Sequence, residues 1–362
     1  MCGFFSTYFK KKVLDSELNK KCVNSLNLLN HRGPDDTEYI NFKNNFLGFK
    51  RLSIIDPNNA KQPMFNSDKS MAIIFNGEIF NYKALRKHLL EKKINLITNS
   101  DTEVILHLYK LYRKNVYKDL RGMFSFLIYN FESKEIYGAR DRFGIKPFFY
   151  YDSGDGNYIF SSESRSIRKF FDNKISFNKN KLSEFVVFGY SADHESFYEK
   201  INSLKHGHSF NIKNNIMKIF KEWEPFSNHD EEIEISENDA LLKLEKLFEE
   251  TINLWSTSDV PVASLMSGGV DSSIVTNCAR KDNNIKSFSV IFPEDQDINE
   301  QKNIEEIIKY TNNNNSEIIS FEENLINQHL NHLVKSFDAP INDPNNITLY
   351  ALCDKIKKEF KY

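Results

Sequence analysis

Val260-Pro261-Val262-Ala263-Ser264-Leu265-Met266, followed at once by Ser267-Gly268-Gly269-Val270-Asp271-Ser272-Ser273, decides the fold of the second half of the chain. The first seven residues form an apolar, β-prone run. The glycines interrupt it, and from Ser272 to Lys281 the pattern becomes helical. Two glycines at a strand-to-helix junction let backbone N–H groups approach an anion closely, and the helix N-terminus attracts it. Ser267, Ser272 and Ser273 add hydroxyl donors, and Asp271 is placed to hold Mg²⁺ beside phosphates. A plain Gly-Gly turn with a serine cap accounts for the glycines and one serine, but not for the whole string. No Lys follows the last glycine, so the loop is not of the Walker type.

Downstream, strand-like Ser287 to Phe292 precedes a helix from Glu300 to Tyr310. Strand-like Glu317 to Phe321 precedes another, and a last helix spans about Asn346 to Phe360. Upstream, Asp239 to Leu254 carries Leu241, Leu244, Leu247, Phe248 and Ile252 at helical spacing. Strands alternating with helices of this length predict βα units and a parallel sheet. His329 and His332 share a helix face but lack a third ligand, so they read as ordinary side chains.

Residues 1 to about 225 have a different rhythm. Phe46 to Ile55, Met71 to Phe75, Phe124 to Tyr129, Phe148 to Tyr151 and Tyr158 to Ser161 are short β-rich runs between turn residues. Two helical stretches, Lys83 to Lys92 and Thr102 to Arg113, interrupt them. This half reads as a sheet-dominated α+β domain over 2–220. A linker follows at 221–238, with the acidic run Asp230 to Glu234 as a solvated connector, and then a second domain over 239–362.

A length of 362 residues suits two domains of roughly 150 residues or more each. Lys+Arg at 48 against Asp+Glu at 50 leaves no basic excess, which argues against nucleic acid as a partner. No apolar run approaches the ~20 residues of a spanning helix, so no membrane association is expected. Four cysteines without paired spacing suggest neither a disulfide framework nor a zinc site, and the expected compartment is the cytoplasm.

Cys2 stands directly after the initiator Met and before the small Gly3. A second-position Cys is ordinarily just a small hydrophobe. Removal of Met1 would, however, leave a free α-amine with a reference pKa near ~8 on the same residue as the thiol, a base without a histidine. Arg51, in Arg51-Leu52-Ser53-Ile54-Ile55, and Asp101, in Ser100-Asp101, offer a cation for an amino-acid carboxylate and an anion for its amine. Asn76-Gly77-Glu78, after the strand Ala72 to Phe75, offers an amide and a glycine N–H as an oxyanion hole for acyl transfer.

These segments, with His31-Arg32-Gly33-Pro34-Asp35-Asp36, Arg121-Gly122-Met123-Phe124 and Arg140-Asp141-Arg142-Phe143-Gly144-Ile145-Lys146-Pro147, resemble the class II glutamine amidotransferases over nearly all of residues 2 to 220. The resemblance implies an N-terminal-nucleophile hydrolase fold, a four-layer αββα sandwich. It implies that Cys2 attacks the glutamine amide, forms a glutamyl thioester and releases ammonia, with Asn76 and Gly77 as the oxyanion hole. Arg51 would hold the glutamine carboxylate, Asp101 and Glu78 its amine, and Leu52, Ser53, Ile54 and Ile55 would lend contacts.

The loop from Ser267 to Ser273 resembles that of enzymes splitting ATP into AMP and pyrophosphate to adenylate a carboxylate. That resemblance adds Leu265 and Val290 as nucleotide contacts. Asp338-Ala339-Pro340 and Asp343-Pro344 resemble the family's Asp-Glu-Pro and Asp-Pro segment, with Ala339 in place of Glu. Together the two halves resemble the glutamine-hydrolysing asparagine synthetases. Glutamine, ATP with Mg²⁺ and aspartate are then the expected ligands, with no prosthetic group. Relatives amidating another carboxylate, such as a surface-sugar carboxylate, share both motifs. The family's later Ser-Gly-Glu-Gly string is absent, so the α/β domain is expected to be its N-terminal part only. A homodimer, or a chain supplying the rest, is the expected macromolecular partner.

Overall fold

The structure, a computed structural model, describes residues 1–11, 13–191, 195–225, 234–282, 285–293, 299–321, 324–357 and 359–360. The chain divides into two compact units, Met1–Ser227 and Asn228–Tyr362.

The first unit begins with β1 (Gly3–Tyr8), α1 (Ser16–Asn27), β2 (Asp36–Phe42), β3 (Asn45–Arg51), β4 (Met64–Phe65) and β5 (Met71–Ile79). Then come α2 (Tyr82–Glu91), α3 (Asp101–Tyr112), the short α4 (Val116–Asp119), β6 (Gly122–Asn130) and β7 (Glu135–Arg140). It closes with β8 (Phe149–Asp152), β9 (Tyr158–Ser161), α5 (Ser164–Phe170), α6 (Lys179–Phe188), β10 (Ile201–Ser203), β11 (His208–Lys213) and β12 (Ile216–Lys221). Two six-stranded antiparallel sheets result, ordered β10-β8-β9-β1-β3-β2 and β12-β11-β7-β6-β5-β4.

Side-chain alternation explains the layering. In β1, Phe4 points into the core between the sheets, beside Leu47, Ile74, Leu127 and Phe160. Phe5, one residue on, points the other way, toward Leu18, Cys22 and Leu26 of α1 and Ile167 of α5. In β5, Ala72 and Ile74 face the intersheet core, while Met71, Ile73 and Phe75 face α2, α3 and α4. Strands covered on both faces lose the apolar–polar alternation and read as continuous apolar runs. The outcome is the αββα sandwich implied by the resemblance.

The second unit has α7 (Glu237–Trp255), β13 (Ala263–Leu265), α8 (Val270–Asp282), β14 (Lys286–Ile291), α9 (Gln301–Tyr310), β15 (Ser316–Ser320), α10 (Asn324–Ser336) and α11 (Asn345–Ile356). Its three strands pair in parallel in the order β13-β14-β15, with Leu265 opposite Phe288 and Val290 opposite Ile319.

Several expectations need correction. The strand expected over 46–55 ends at Arg51, because the chain turns there to form a loop around the Arg51 side chain. Asn76, Gly77 and Glu78 lie within β5 rather than after it, since pairing with β6 continues through Ser125, Phe124 and Met123. The first unit holds more than two helices, α1, α4, α5 and α6 being unforeseen. β12 runs to Lys221 and α7 begins at Glu237, both inside the range 221–238 read as a linker. Of the acidic run, Asp230 to Ile233 lie outside the described residues.

Candidate active site

Cys2 sits immediately before β1, a strand hydrogen-bonded on both sides, to β3 and β9. Its Sγ accepts the Leu52 N–H at 3.3 Å and donates to the Leu52 carbonyl at 3.4 Å. Arg32 Nε donates to the Cys2 carbonyl at 3.0 Å, and its guanidinium is held by buried Glu163. Burial pushes the Cys2 thiol up; the Leu52 N–H, the terminal amine, Arg51 and Lys146 pull it back. The same burial, aided by Arg32 and Lys146, brings the Met1 amine down to about 6.

The thiol opens into a cavity of about 230 Å³ whose wall includes Arg51, Leu52, Ile54, Ile55, Asn76, Gly77, Glu78 and Asp101. The outer edge of β5 forms one side of it. Phe124 N–H and C=O both bond Asp141, so Gly77 opposite them turns its own N–H and C=O away from β6. On that outer edge, β4 pairs at Ile73, and the Gln62 amide takes the place of a strand at Phe75 (2.6 and 3.2 Å). Asp101 Oδ2 accepts the Ile79 N–H at 3.0 Å. Gly77, between Phe75 and Ile79, faces the cavity. A Cβ there would lie 2.1 Å from the Met123 carbonyl oxygen, and φ is +156°, so only glycine fits. Asn76, 1% exposed, has no partner among the described residues for either side-chain polar atom. A buried amide without partners is costly, and it stands ready to bond a ligand.

Charge is distributed along the same wall. Arg51 Nη1 donates to Pro57 O at 2.7 Å and Nη2 to the carbonyls of Ile55 and Asp56 at 3.1 and 2.9 Å. Three of its five N–H groups thus shape the loop that follows β3. Asp101 opens α3, where Ser100 caps the helix by accepting the Glu103 N–H. Its carboxyl is pushed up to about 7, chiefly by burial and further by Glu78, against the N–H bonds of Ile79 and Thr102. Burial also pushes Glu78 up, with Lys146 and the terminal amine opposing. Ser53 does not reach the cavity: its N–H donates to Asp35 Oδ2 at 2.9 Å.

Sequence reasoning missed Gln62, Thr102, Met123 and Lys146 on the cavity wall. Lys146 lay inside a quoted motif, yet nothing in that string says its side chain turns inward. Asp141, fully buried, enforces the turn by accepting N–H groups from Phe124, Phe143, Ile145 and Lys146.

In the second unit, the phosphate-type loop lies at the C-terminal end of β13. The Ser267 N–H donates to Ser272 Oγ (3.2 Å), and the Gly269 N–H to Ser267 Oγ (3.4 Å). Ser272 and Ser273 hydroxyls donate to Gly269 O at 3.2 and 2.6 Å. Gly268 has φ +88°, and a Cβ there would meet Ile304 at 3.2 Å. Leu265 is exposed at the strand end, whereas Val290 is half-buried against Phe288, Ile319 and Leu352. Asp271 is exposed beside the loop. Among the described residues no group of three or more His, Cys, Asp or Glu gathers at one point. A single carboxylate next to phosphates still suits Mg²⁺, which keeps few protein ligands. Among the described residues no helix is long and apolar enough to cross a membrane.

A cysteine at the head of a central strand in an αββα sandwich, opening onto a glycine-lined strand edge, is the arrangement of N-terminal-nucleophile amidotransferases. Residues 1–224 match the family described as "Glutamine amidotransferase domain", and residues 243–362 the family described as "Asparagine synthase". Asparagine synthetase [glutamine-hydrolyzing] 1 of Bacillus subtilis is 35% identical over 99% of this chain and 56% of its own length. A Methanocaldococcus jannaschii protein with the provisional name asparagine synthetase [glutamine-hydrolyzing] 2 is 30% identical over 99% of this chain and 72% of its own. Among solved structures, a glutamine phosphoribosylpyrophosphate amidotransferase from B. subtilis aligns over 79% of this chain and 65% of that one, with 19% identity and a TM-score of 0.45. The chain belongs to the glutamine-hydrolysing asparagine synthetase family. It spans about half the length of the B. subtilis relatives it matches.

Proposed function

We propose that the chain is the glutamine-using, ATP-binding part of a cytoplasmic asparagine synthetase. The observation that carries this reading is one cavity bearing the Cys2 thiol, the unpartnered Asn76 amide and the outward edge of Gly77. Loss of Met1 gives Cys2 its own α-amine, which takes the thiol proton as Sγ adds to the side-chain carbonyl carbon of glutamine. Asn76 Nδ2 and the Gly77 N–H bond the developing oxyanion. The C–N bond then breaks, ammonia leaves with the proton from the amine, and water hydrolyses the thioester to glutamate. Asp101 and Glu78 hold the substrate ammonium, and Arg51 its carboxylate with the N–H groups left over from its loop.

In the second unit, the loop Ser267–Ser273 with the N-terminus of α8 cradles the ATP phosphates. Leu265 and Val290 border the nucleotide, and Asp271 holds Mg²⁺, which neutralises phosphate charge when bound. Aspartate is the carboxylate proposed for activation, as β-aspartyl-AMP, which ammonia converts to asparagine. Two assays test this. Cys2→Ala should abolish glutamine hydrolysis, and ATP–pyrophosphate exchange should appear only with aspartate. Glutaminase activity surviving in Cys2→Ala overturns the first half; exchange with another carboxylate, or with none, overturns the second.

A further inference from the structure

Lys146 is a lysine where an apolar residue would pack more cheaply. It is 6% exposed and lines the cavity beside Cys2, Met1 and Glu78. Burying an ammonium costs several kcal/mol unless opposite charge or hydrogen bonds compensate. Its side chain lies on the cavity wall. Its backbone is clamped at both ends: the N–H donates to Asp141 Oδ2 at 3.0 Å and the carbonyl accepts Arg140 Nε at 2.8 Å. Arg140 is itself fixed by Gly144 O, Ser203 Oγ and Leu204 O at 2.7–2.8 Å. This framework fixes the Lys146 backbone at one point of the cavity wall.

The charged groups around that point come from every neighbouring element. Glu78 on β5 attracts the ammonium, as do the Cys2 thiol before β1 and Asp141 in its own loop. Arg32, from the turn after α1, and the Met1 amine oppose it. Arg51 adds positive charge on the Cys2 side, and Asp101 adds negative charge on the Glu78 side. Burial pushes the Lys146 ammonium down, and Glu78 is the largest influence holding it charged.

We propose that Lys146 is a positioning residue of the glutamine site: its buried ammonium, with Glu78 as counterion, draws the first proton off the amine–thiol pair of Cys2. Like charge makes the protonated amine unfavourable, and opposite charge favours the thiolate. Glu78 acts in the reverse sense, so the two residues set the protonation of the pair between them. This rests on the glutaminase reading of Cys2.

The test uses the full chain with Met1 removal verified by intact mass. Two profiles against pH are recorded: kcat/KM for glutamine hydrolysis, and iodoacetamide alkylation of the Cys2 peptide by mass spectrometry. For Lys146→Met the acid limb and the alkylation midpoint should both rise by about one pH unit. Lys146→Arg should restore both toward wild type. Glu78→Gln should move the alkylation midpoint down, a sign that altered packing does not produce. An unmoved midpoint in Lys146→Met, or equal shifts in the Met and Arg variants, overturns the proposal. A wild-type chain that hydrolyses no glutamine refutes the glutaminase reading instead, and the alkylation profiles still judge Lys146.

Discussion

Replacing Asp101 by Asn should stabilise the empty amidotransferase unit and make it insensitive to glutamine. The carboxyl ionises at about 7 in the folded chain against an ordinary 3.8, because it is buried and beside Glu78. Below about pH 4 both the folded and unfolded chains keep this proton, and nothing is lost. As pH rises from there toward 7, the unfolded chain releases a proton that the folded one retains, so stability falls; above 7 the loss is constant. At about 1.4 kcal/mol per pH unit, the penalty is roughly 2 kcal/mol near pH 5.5 and roughly 4 kcal/mol near pH 8.5. Asparagine carries no such penalty at any pH. Imperfect bonding of its amide in the pocket costs about 1–3 kcal/mol, and that cost does not vary with pH. The gap between variant and parent should therefore widen by about 2 kcal/mol between the two pH values, or about 4–8 °C in melting temperature for a unit of this size. Thermal melts in a Cys2→Ala background, where glutamine is not consumed, measure it. Adding glutamine should raise the parent transition and leave Asp101→Asn unmoved. A gap equal at both pH values, or a variant stabilised by glutamine as much as its parent, refutes the reasoning.

Asn76→Ala should lower glutaminase kcat by about 10²–10³-fold without reducing the melting temperature, because the amide it deletes has no partner among the described residues. Asp141→Ala orphans four N–H groups at once, and a urea titration should show a loss of at least about 3 kcal/mol. Gly268→Ala forces a Cβ into a left-handed conformation next to Ile304; it should cost the second unit about 1–2 kcal/mol and weaken ATP binding, read by fluorescence titration.

How much was legible depended on whether the signal was local. The run from Met71 to Phe75 and the Gly-Gly loop carry their placement in their own composition. β2 does not: its Asp-Thr-Glu-Tyr-Ile-Asn-Phe sequence is mostly exposed, and only pairing with β3 makes it a strand. α1 buries Leu18, Cys22 and Leu26 at spacings of four, with Asp15 as its cap, but the stripe is narrow among polar residues. Asn76 to Glu78 look like turn residues because the site needs an amide, a glycine and an acid in mid-strand. Function there overrides β propensity. Lys146 and Gln62 could not be found along the chain, since their roles arise from loops that close only in three dimensions.

The turn from His31 to Asp36 has one more consequence. Gly33 lies against the Lys50–Arg51 backbone, where a Cβ would sit 2.2 Å from the Lys50 carbonyl carbon. From that contact Arg32 reaches back to the Cys2 carbonyl, and Asp35 reaches forward to the Ser53 N–H. One short segment therefore holds Cys2 and the strand end that carries Arg51 at a fixed separation.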